Sequence, residues 1–340
     1  MLPNAWCIHG PPGCGKTTHV AQLAAEAARQ YGPERVLVAS LTRGAAHEIR
    51  SRDCALPAAQ IGTLHAFAFR ALGGARGYSE AAPDFDHLLE RACNETHEAP
   101  GAPAVIILDE AQDHSPLDLR LACHWARRCE RLVLVGDPDQ AIYGFRGADG
   151  LGFQAVPPER RAVLARSYRL PRAVHRHATG WIAQVKAREA VVFEPRDAEG
   201  RVRALRAGGD FAKLARSVRR DVLRGRSVMV LAACRYLLVG VDRALQESAP
   251  AEPWWRRFLA RCRRPGAAGP AGYLTIGTIH SVKGGEADVV YVLPDLSPAQ
   301  WGQWTKGDRD ALVRLFYVAF TRAREELVLV RTGAGKTVGW

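Results

Sequence analysis

At 340 residues, with 47% apolar and 24% charged side chains, the chain has an ordinary globular composition and more length than one compact domain usually uses, which predicts two domains. Its longest apolar runs, AVIIL at 104–108 and VMVLAAC at 228–234, fall short of the ~18 residues of a membrane-spanning helix, and no basic region with a long apolar stretch opens the sequence, so no membrane partner, no secretory signal and a cytoplasmic location are expected. Forty-seven Lys and Arg against 35 Asp and Glu leave +12, a surplus that favours a polyanionic partner such as nucleic acid, because each cation placed on a phosphate releases a counterion.

The first predicted element is an apolar strand running into Gly10-Pro-Pro-Gly13-Cys14-Gly15-Lys16-Thr17, followed by HVAQLAAEAARQ with helical spacing. Strand, G-x-x-x-x-G-K-T and helix in that order predict a phosphate-binding loop. Gly10, Gly13 and Gly15 let backbone N–H groups face phosphates at a helix N-terminus, with Thr18 next in the first turn. Lys16 is expected on the β- and γ-phosphates and the Thr17 hydroxyl on Mg2+. A thiol at a helix N-terminus tends toward a lowered pKa, which would open Cys14 to alkylation; the plainer reading is a tolerated small residue. The eight cysteines form no C-x-x-C pair, and neither Cys93 with His97 nor Cys123 with His124 has a second half-site, so reduced, metal-free thiols are expected.

Short apolar runs then alternate with helical patterns: RVLVAS (35–40) before AAHEIRS, AVIILDE (104–110) before LDLRLACHWARR, and RLVLVGD (131–137). That rhythm predicts the α/β class, a parallel sheet covered by helices. Asp109 and Glu110 end an apolar strand, where charges mark a site: Asp109 for the Mg2+ shell, Glu110 as base toward an attacking water. After the Gly- and Pro-rich stretch at 147–159 the rhythm restarts with AVLARS, SVMVLAA, YLTIGTI, ADVVYVL and ELVLV, so the predicted domains are 1–153 and 154–340. An insertion at about 247–272 centres on WWRRFLARCRR (254–264). Trp254, Trp255, Phe258, Leu259 and Cys262 form one apolar face there, suited to DNA, to a partner protein or simply to docking on the second domain. GAGKT (333–337) lacks the fuller glycine spacing and a following helix, and reads as a tail.

With GDPDQAIYGFRGA (136–148) added to DEAQD, the chain resembles the UvrD/Rep/PcrA group of superfamily 1 DNA helicases. LTRGAAHEI (41–49) resembles motif Ia, GTLHAFAFRAL (62–72) motif Ib, SYRLP (167–171) motif IV, GTIHSVKGGEADVVYV (277–292) motif V and YVAFTRARE (317–325) motif VI, over residues 6–331. The resemblance implies two RecA-like parallel-sheet domains in tandem with the ATP site in the cleft between them. It also implies ATP and Mg2+ as cofactors, single-stranded DNA and single-strand/duplex junctions as partners, and a monomer. By the same resemblance Arg169 and Arg322 stabilise charge on the γ-phosphoryl group, Gln140 senses it, Tyr168 stacks on the base and Glu286 accepts from the ribose. Strand contacts fall to Thr42, His65, Tyr143, Phe145, Arg146, Thr278, His280 and Lys283, with Phe145 standing where the family has tryptophan. Without the family, Arg322 reads equally as a surface charge on the helix LVRLFYVAFTRARE, and His65 as a satisfied structural histidine.

Three departures qualify the match. Leu41 replaces a stacking aromatic, a loss of about 1–3 kcal/mol of grip. Only nine residues precede Gly10, so the family's adenine-reading Gln segment is not expected and base discrimination stays open. About 30 residues lie between motif Ib and the acidic strand, and about two dozen at the second insertion point, so a near-minimal motor without the large inserted domains is expected. The implied function is an ATP-dependent single-stranded DNA translocase and helicase moving 3′ to 5′; the alternative is a DNA-stimulated ATPase that remodels nucleoprotein or serves as motor subunit of a larger complex.

Overall fold

The computed structural model describes residues 4–52, 55–74, 85–144, 147–148, 152–153, 156–186, 188–207, 209, 211–247, 274–333 and 336–340. They form two compact units, one of Met1–Ser167 with Val191–Glu194, the other of Tyr168–Ala190 with Pro195–Trp340.

The first unit is a six-stranded sheet of β1 (Ala5–His9), β2 (Val36–Ala39), β3 (Ile61–Gly62), β4 (Val105–Leu108), β5 (Arg131–Gly136) and β6 (Arg160–Val163), in the order β3-β2-β4-β5-β1-β6. Every pairing is parallel. The helices are α1 (Lys16–Tyr31), α2 (Arg43–Arg50), α3 (Leu64–Ala71), α4 (Phe85–Glu95) and α5 (Pro116–Ala126). Because successive strand residues point to opposite faces, runs such as VIIL must be apolar throughout when both faces are covered. Leu37, Ile106, Leu108 and Leu134 pack with Phe67, Leu89 and Trp125 of α3 to α5. Val38, Val105, Ile107 and Val135 pack on the other face with Val20, Ala24 and Ile49 of α1 and α2. Register pairs Leu108 with Leu134 and His9 with Gly136, so the chain leaves β4, β5 and β1 side by side along one sheet edge.

Strand β6 corrects the expected boundary at 153/154. Trp6↔Arg160 through His9↔Val163 add it to β1, which carries the first unit on to Ser167. The pairing is a matter of backbone hydrogen bonding, since three of its four side chains are exposed.

The second unit is a five-stranded parallel sheet of β7 (Arg201–Arg206), β8 (Val228–Ala232), β9 (Leu274–Thr278), β10 (Ala287–Val292) and β11 (Ala323–Arg331), in the order β7-β11-β10-β8-β9. Its helices are α6 (Arg172–Ile182), α7 (Ala212–Leu223), α8 (Val239–Glu247), α9 (Pro298–Lys306) and α10 (Asp310–Phe320). Leu214, Val218 and Val222 of α7 and Val241 and Leu245 of α8 close one core against Val230, Val289, Tyr291 and Val328. Trp181 of α6, Phe316 and Phe320 of α10 and the terminal Trp340 form an aromatic cluster, ring centroids 5.4–6.2 Å from Trp181. At the end of the segment read as a tail, Thr337 bridges Asp295 antiparallel, and Val338 N donates to Pro294 O at 3.0 Å. Residues 248–273, holding the WWRRFLARCRR insertion, lie outside the described residues. Among the described residues no helix is long and apolar enough to cross a membrane.

Candidate functional site

The chain leaves β1 into the glycine-rich loop, and Gly15 caps α1 with φ 82°, a left-handed conformation that a side chain would strain. The first intrahelical bond there runs from His19 N to Gly15 O, so the amides of Lys16, Thr17 and Thr18 are the donors that a helix start leaves for an anion. The Lys16 ammonium donates to Gly10 O at 2.7 Å, which folds its stem across Gly10. Burial alone would depress its pKa, but Glu110, Asp137 and Asp109, with the Cys14 thiol, outweigh that and raise it. Thr17 is half-buried in the first turn, and Thr18 is exposed with its hydroxyl accepting from Arg52 at 2.7 Å. Cys14 departs from the sequence expectation of a lowered pKa: it is buried, and desolvation raises its thiol despite Lys16 beside it. Ser167, fully buried, donates to Pro12 O at 2.7 Å and braces the loop.

Asp109 leaves β4 buried, 2% exposed, and its Oδ1 has no hydrogen-bond partner. Desolvation and then the neighbouring Glu110 charge raise its pKa, with Lys16 opposing. Glu110 sits at φ 51°, ψ 44°, a strained backbone for a residue with a side chain and a frequent mark of working positions. Its orientation is fixed by Gln112, whose Nε2 donates to Glu110 Oε2 at 2.6 Å while its Oε1 accepts from Asp137 N at 2.9 Å. Gln140 Nε2 donates to Asp137 Oδ2 at 2.6 Å, and Asp137 Oδ1 accepts from Asp139 N. One network therefore links Glu110 and Gln140 through Gln112 and Asp137. Gln112 and Asp137 carry no expectation from the sequence, although both stand inside quoted motifs; the readable signal was a buried-looking amide in an acidic run.

Gly136 makes this arrangement possible, since a Cβ there would lie 2.5 Å from Gln112 Oε1 and 3.2 Å from the backbone N of Ala111 and Gln112. Gly136→Ala should destabilise the protein by about 1–3 kcal/mol and slow ATP turnover by releasing Glu110. Thermal unfolding beside steady-state turnover checks both, and a variant with wild-type values for each would contradict this role for Gln112.

In the second unit Arg169 Nε donates to Glu286 Oε2 at 2.6 Å and Arg169 Nη1 to Thr321 O at 3.3 Å, while Arg324 holds the other Glu286 oxygen at 3.2 Å. Glu286, expected on a ribose, here fixes the orientation of an arginine. Arg322 is 2% exposed, which rules out the surface-charge reading. Helix α10 ends at Phe320, so Arg322 turns inward, its guanidinium donating to Val318 O (2.9 Å), Gly285 O (3.4 Å) and Thr321 Oγ1 (3.2 Å). Tyr168 is 69% exposed.

The strand-contact candidates are more dispersed. Thr42 caps α2 by accepting from Ala45 N at 3.1 Å, and Thr278 accepts from Ser281 N at 3.3 Å before a short turn that leads through half-buried His280 to Lys283. His65 lies edge-on to Phe85, its Nδ1 3.9 Å from Asp118 Oδ1. Asp118 is held well below the usual carboxylate range, to about 2, by His114, His65 and Ser115 acting against desolvation. Tyr143 is half-buried; Phe145 and Arg146 lie outside the described residues.

The glycine cradle, the Lys16 amine, the Thr17 hydroxyl of the first helical turn and the orphaned Asp109 oxygen are a donor set that suits a triphosphate with a hard divalent cation, which typically binds one or two carboxylates plus phosphate oxygens. A family model described as an AAA domain matches residues 2–146, and one described as the UvrD-like helicase C-terminal domain matches residues 273–330. The "ATP-dependent DNA helicase UvrD2" of Mycobacterium bovis is 34% identical over 150 residues, 41% of this chain and 21% of that protein. A "Probable DNA helicase" of Mycoplasma pneumoniae is 27% identical over 237 residues, 66% of this chain and 43% of that protein. The chain thus spans less than half the length of these curated relatives. In fold it is similar to the arterivirus nonstructural protein 10 helicase solved with DNA, at TM-score 0.50 and 16% identity, over 96% of this chain and 61% of that one. With both domain models matching in order around these motifs, the chain is similar to the UvrD-like superfamily 1 helicases over residues 2–146 and 273–330.

Proposed function

We propose that the protein is an ATP-dependent single-stranded DNA translocase and helicase moving 3′ to 5′, a cytoplasmic monomer acting on single strands and single-strand/duplex junctions. The observation that carries the reading is the grouping at the phosphate loop of Lys16 with the Glu110, Asp137 and Asp109 carboxylates that act on it, Gln112 and Asp137 linking Glu110 to Gln140. In this reading Gly10, Gly13 and Gly15 present backbone amides to the phosphates and Lys16 neutralises the β- and γ-oxygens. Thr17 and Asp109 would hold Mg2+, which neutralises developing charge on those oxygens when bound. Glu110 accepts the proton of the water that attacks the γ-phosphorus as the bond to the bridging oxygen breaks and ADP leaves. Gln140 reports on the γ-phosphate, and Arg169 and Arg322 stabilise the transferred group's charge. Glu286 orients Arg169 and remains available to a ribose hydroxyl, while Tyr168 offers its ring to the base. Thr42, His65, Tyr143, Phe145, Arg146, Thr278, His280 and Lys283 serve the strand.

One observation favours the second reading, a DNA-stimulated ATPase inside a larger assembly: little sequence lies at either internal insertion point, between motif Ib and the acidic strand and at 247–272. Displacement of oligonucleotides from 3′- and 5′-tailed duplexes separates the two. Displacement from 3′ tails alone is expected. Displacement from 5′ tails alone would reverse the polarity, and strand-stimulated hydrolysis without any displacement would favour the assembly reading.

A further inference from the structure

The positive charge is unevenly placed. Residues 1–167 carry 17 Lys and Arg against 19 Asp and Glu, whereas residues 168–340 carry 30 against 16, so the surplus belongs wholly to the second part. Much of it is answered locally: Glu286 takes Arg169 and Arg324, Asp197 takes Arg172, Glu199 takes Arg176, and Glu326 takes Arg203 and Arg226.

Helix α7 is different. Its apolar residues enter the core, and its single acid, Asp221, is buried and accepts from the Tyr291 hydroxyl at 2.5 Å. On the opposite side Lys213, Arg216 and Arg220 are exposed, and exposed Arg224 continues the row past the last turn. At 3.6 residues per turn the four fall within an arc of about 80° along roughly 16 Å of axis. Lys213, Arg216 and Arg224 meet no carboxylate among the described residues; Arg220 donates to Ser217 Oγ at 3.1 Å and stands 3.9 Å from Asp221. The helix dipole explains cations near the C-terminal end, but Lys213 lies in the first turn, where a cation is unfavourable and where α7 has no acid. Stability of the helix therefore does not account for the row. Arg201 and Arg206, exposed on edge strand β7, add the same sign.

We propose that Lys213, Arg216, Arg220 and Arg224 form a contact rail for the phosphate backbone of duplex DNA. The proposal rests on the nucleic-acid reading above and adds a second, sequence-independent anchor to it. A single-strand path pairs cations with aromatic platforms, and the solvent face of α7 has none, its one exposed apolar side chain being Leu223. A straight, evenly spaced row matches the regular, stiff charge lattice of a duplex instead.

The test is the fourfold variant K213Q/R216Q/R220Q/R224Q, with affinity for a blunt DNA duplex and for an oligothymidine strand measured from about 50 to 200 mM salt. Four lost phosphate contacts should flatten the log–log salt slope for duplex by about 3–4, so that wild-type affinity falls about 100-fold more than the variant's over that range. Oligothymidine binding and strand-stimulated ATP turnover should not change. The charge-conserving variant K213R/R216K/R220K/R224K should keep the wild-type slope. An unchanged duplex slope in the Gln variant, equal losses on duplex and single strand, or a loss in the charge-conserving variant would each overturn the rail. Wild-type protein without strand-stimulated turnover would instead remove the motor reading beneath it.

Discussion

Replacing Glu110 by Gln should lower strand-stimulated ATP turnover by about 10²- to 10⁴-fold, the usual contribution of a positioned general base, while leaving oligonucleotide binding intact. The substitution is nearly isosteric. A glutamine carbonyl can still accept from Gln112 Nε2, as Glu110 Oε2 does at 2.6 Å, so the side chain keeps its anchor and loses only its basicity. The left-handed backbone at 110 is set by the turn into Ala111–Asp113 and does not depend on the charge. Phosphate release measured beside fluorescence anisotropy of a labelled strand separates the outcomes. Loss of both would point to misfolding, and wild-type turnover would place the base elsewhere.

The second large effect is expected at Arg322. Truncation to Ala removes one of the largest fully buried side chains and takes a donor from Gly285 O and from Val318 O, the latter keeping Thr321 Oγ1 at 3.0 Å, at a cost of about 2–5 kcal/mol. Turnover should fall as well, by about 10³-fold or more on the scale of lost arginine fingers. Arg322→Lys separates the two roles: its stem refills the space, so the melting temperature should stay within about 4 °C of wild type, yet an ammonium cannot reproduce the planar fork. Low turnover in a stable Arg322→Lys protein is the expected result. Full turnover in that variant would make Arg322 a packing residue only.

What could be read from the sequence follows physical lines. Strands β2, β4 and β5 were legible because both faces are covered and their central positions are all apolar, as Val105 to Leu108 and Leu132 to Val135 illustrate. Strand β6 was misplaced because its exposed Arg160 and Arg161 carry no apolar signature; only backbone pairing with β1 assigns it. Lys16, Asp109 and Glu110 were expected from local motifs, because phosphate recognition calls for those residue types at fixed spacing, and Gln140 from the family resemblance. The side chains that hold them were not, since Gln112 acts by reaching Asp137 across a strand crossover, and Gly136 matters only because Gln112 passes over it. Periodicity kept Arg322 on a helix surface, whereas the helix stops two residues earlier and the chain turns in. His65 gave no hint of Asp118, which meets it only once α3 and α5 fold onto the same face of the sheet.

The most direct test of the central claim is ATP turnover by the wild-type chain with and without single-stranded DNA, with the Glu110→Gln protein as the baseline. Turnover that rises many-fold on adding strand, saturates with strand concentration and vanishes in Glu110→Gln is the predicted result. Hydrolysis indifferent to DNA, or surviving in Glu110→Gln, would contradict a DNA-coupled motor.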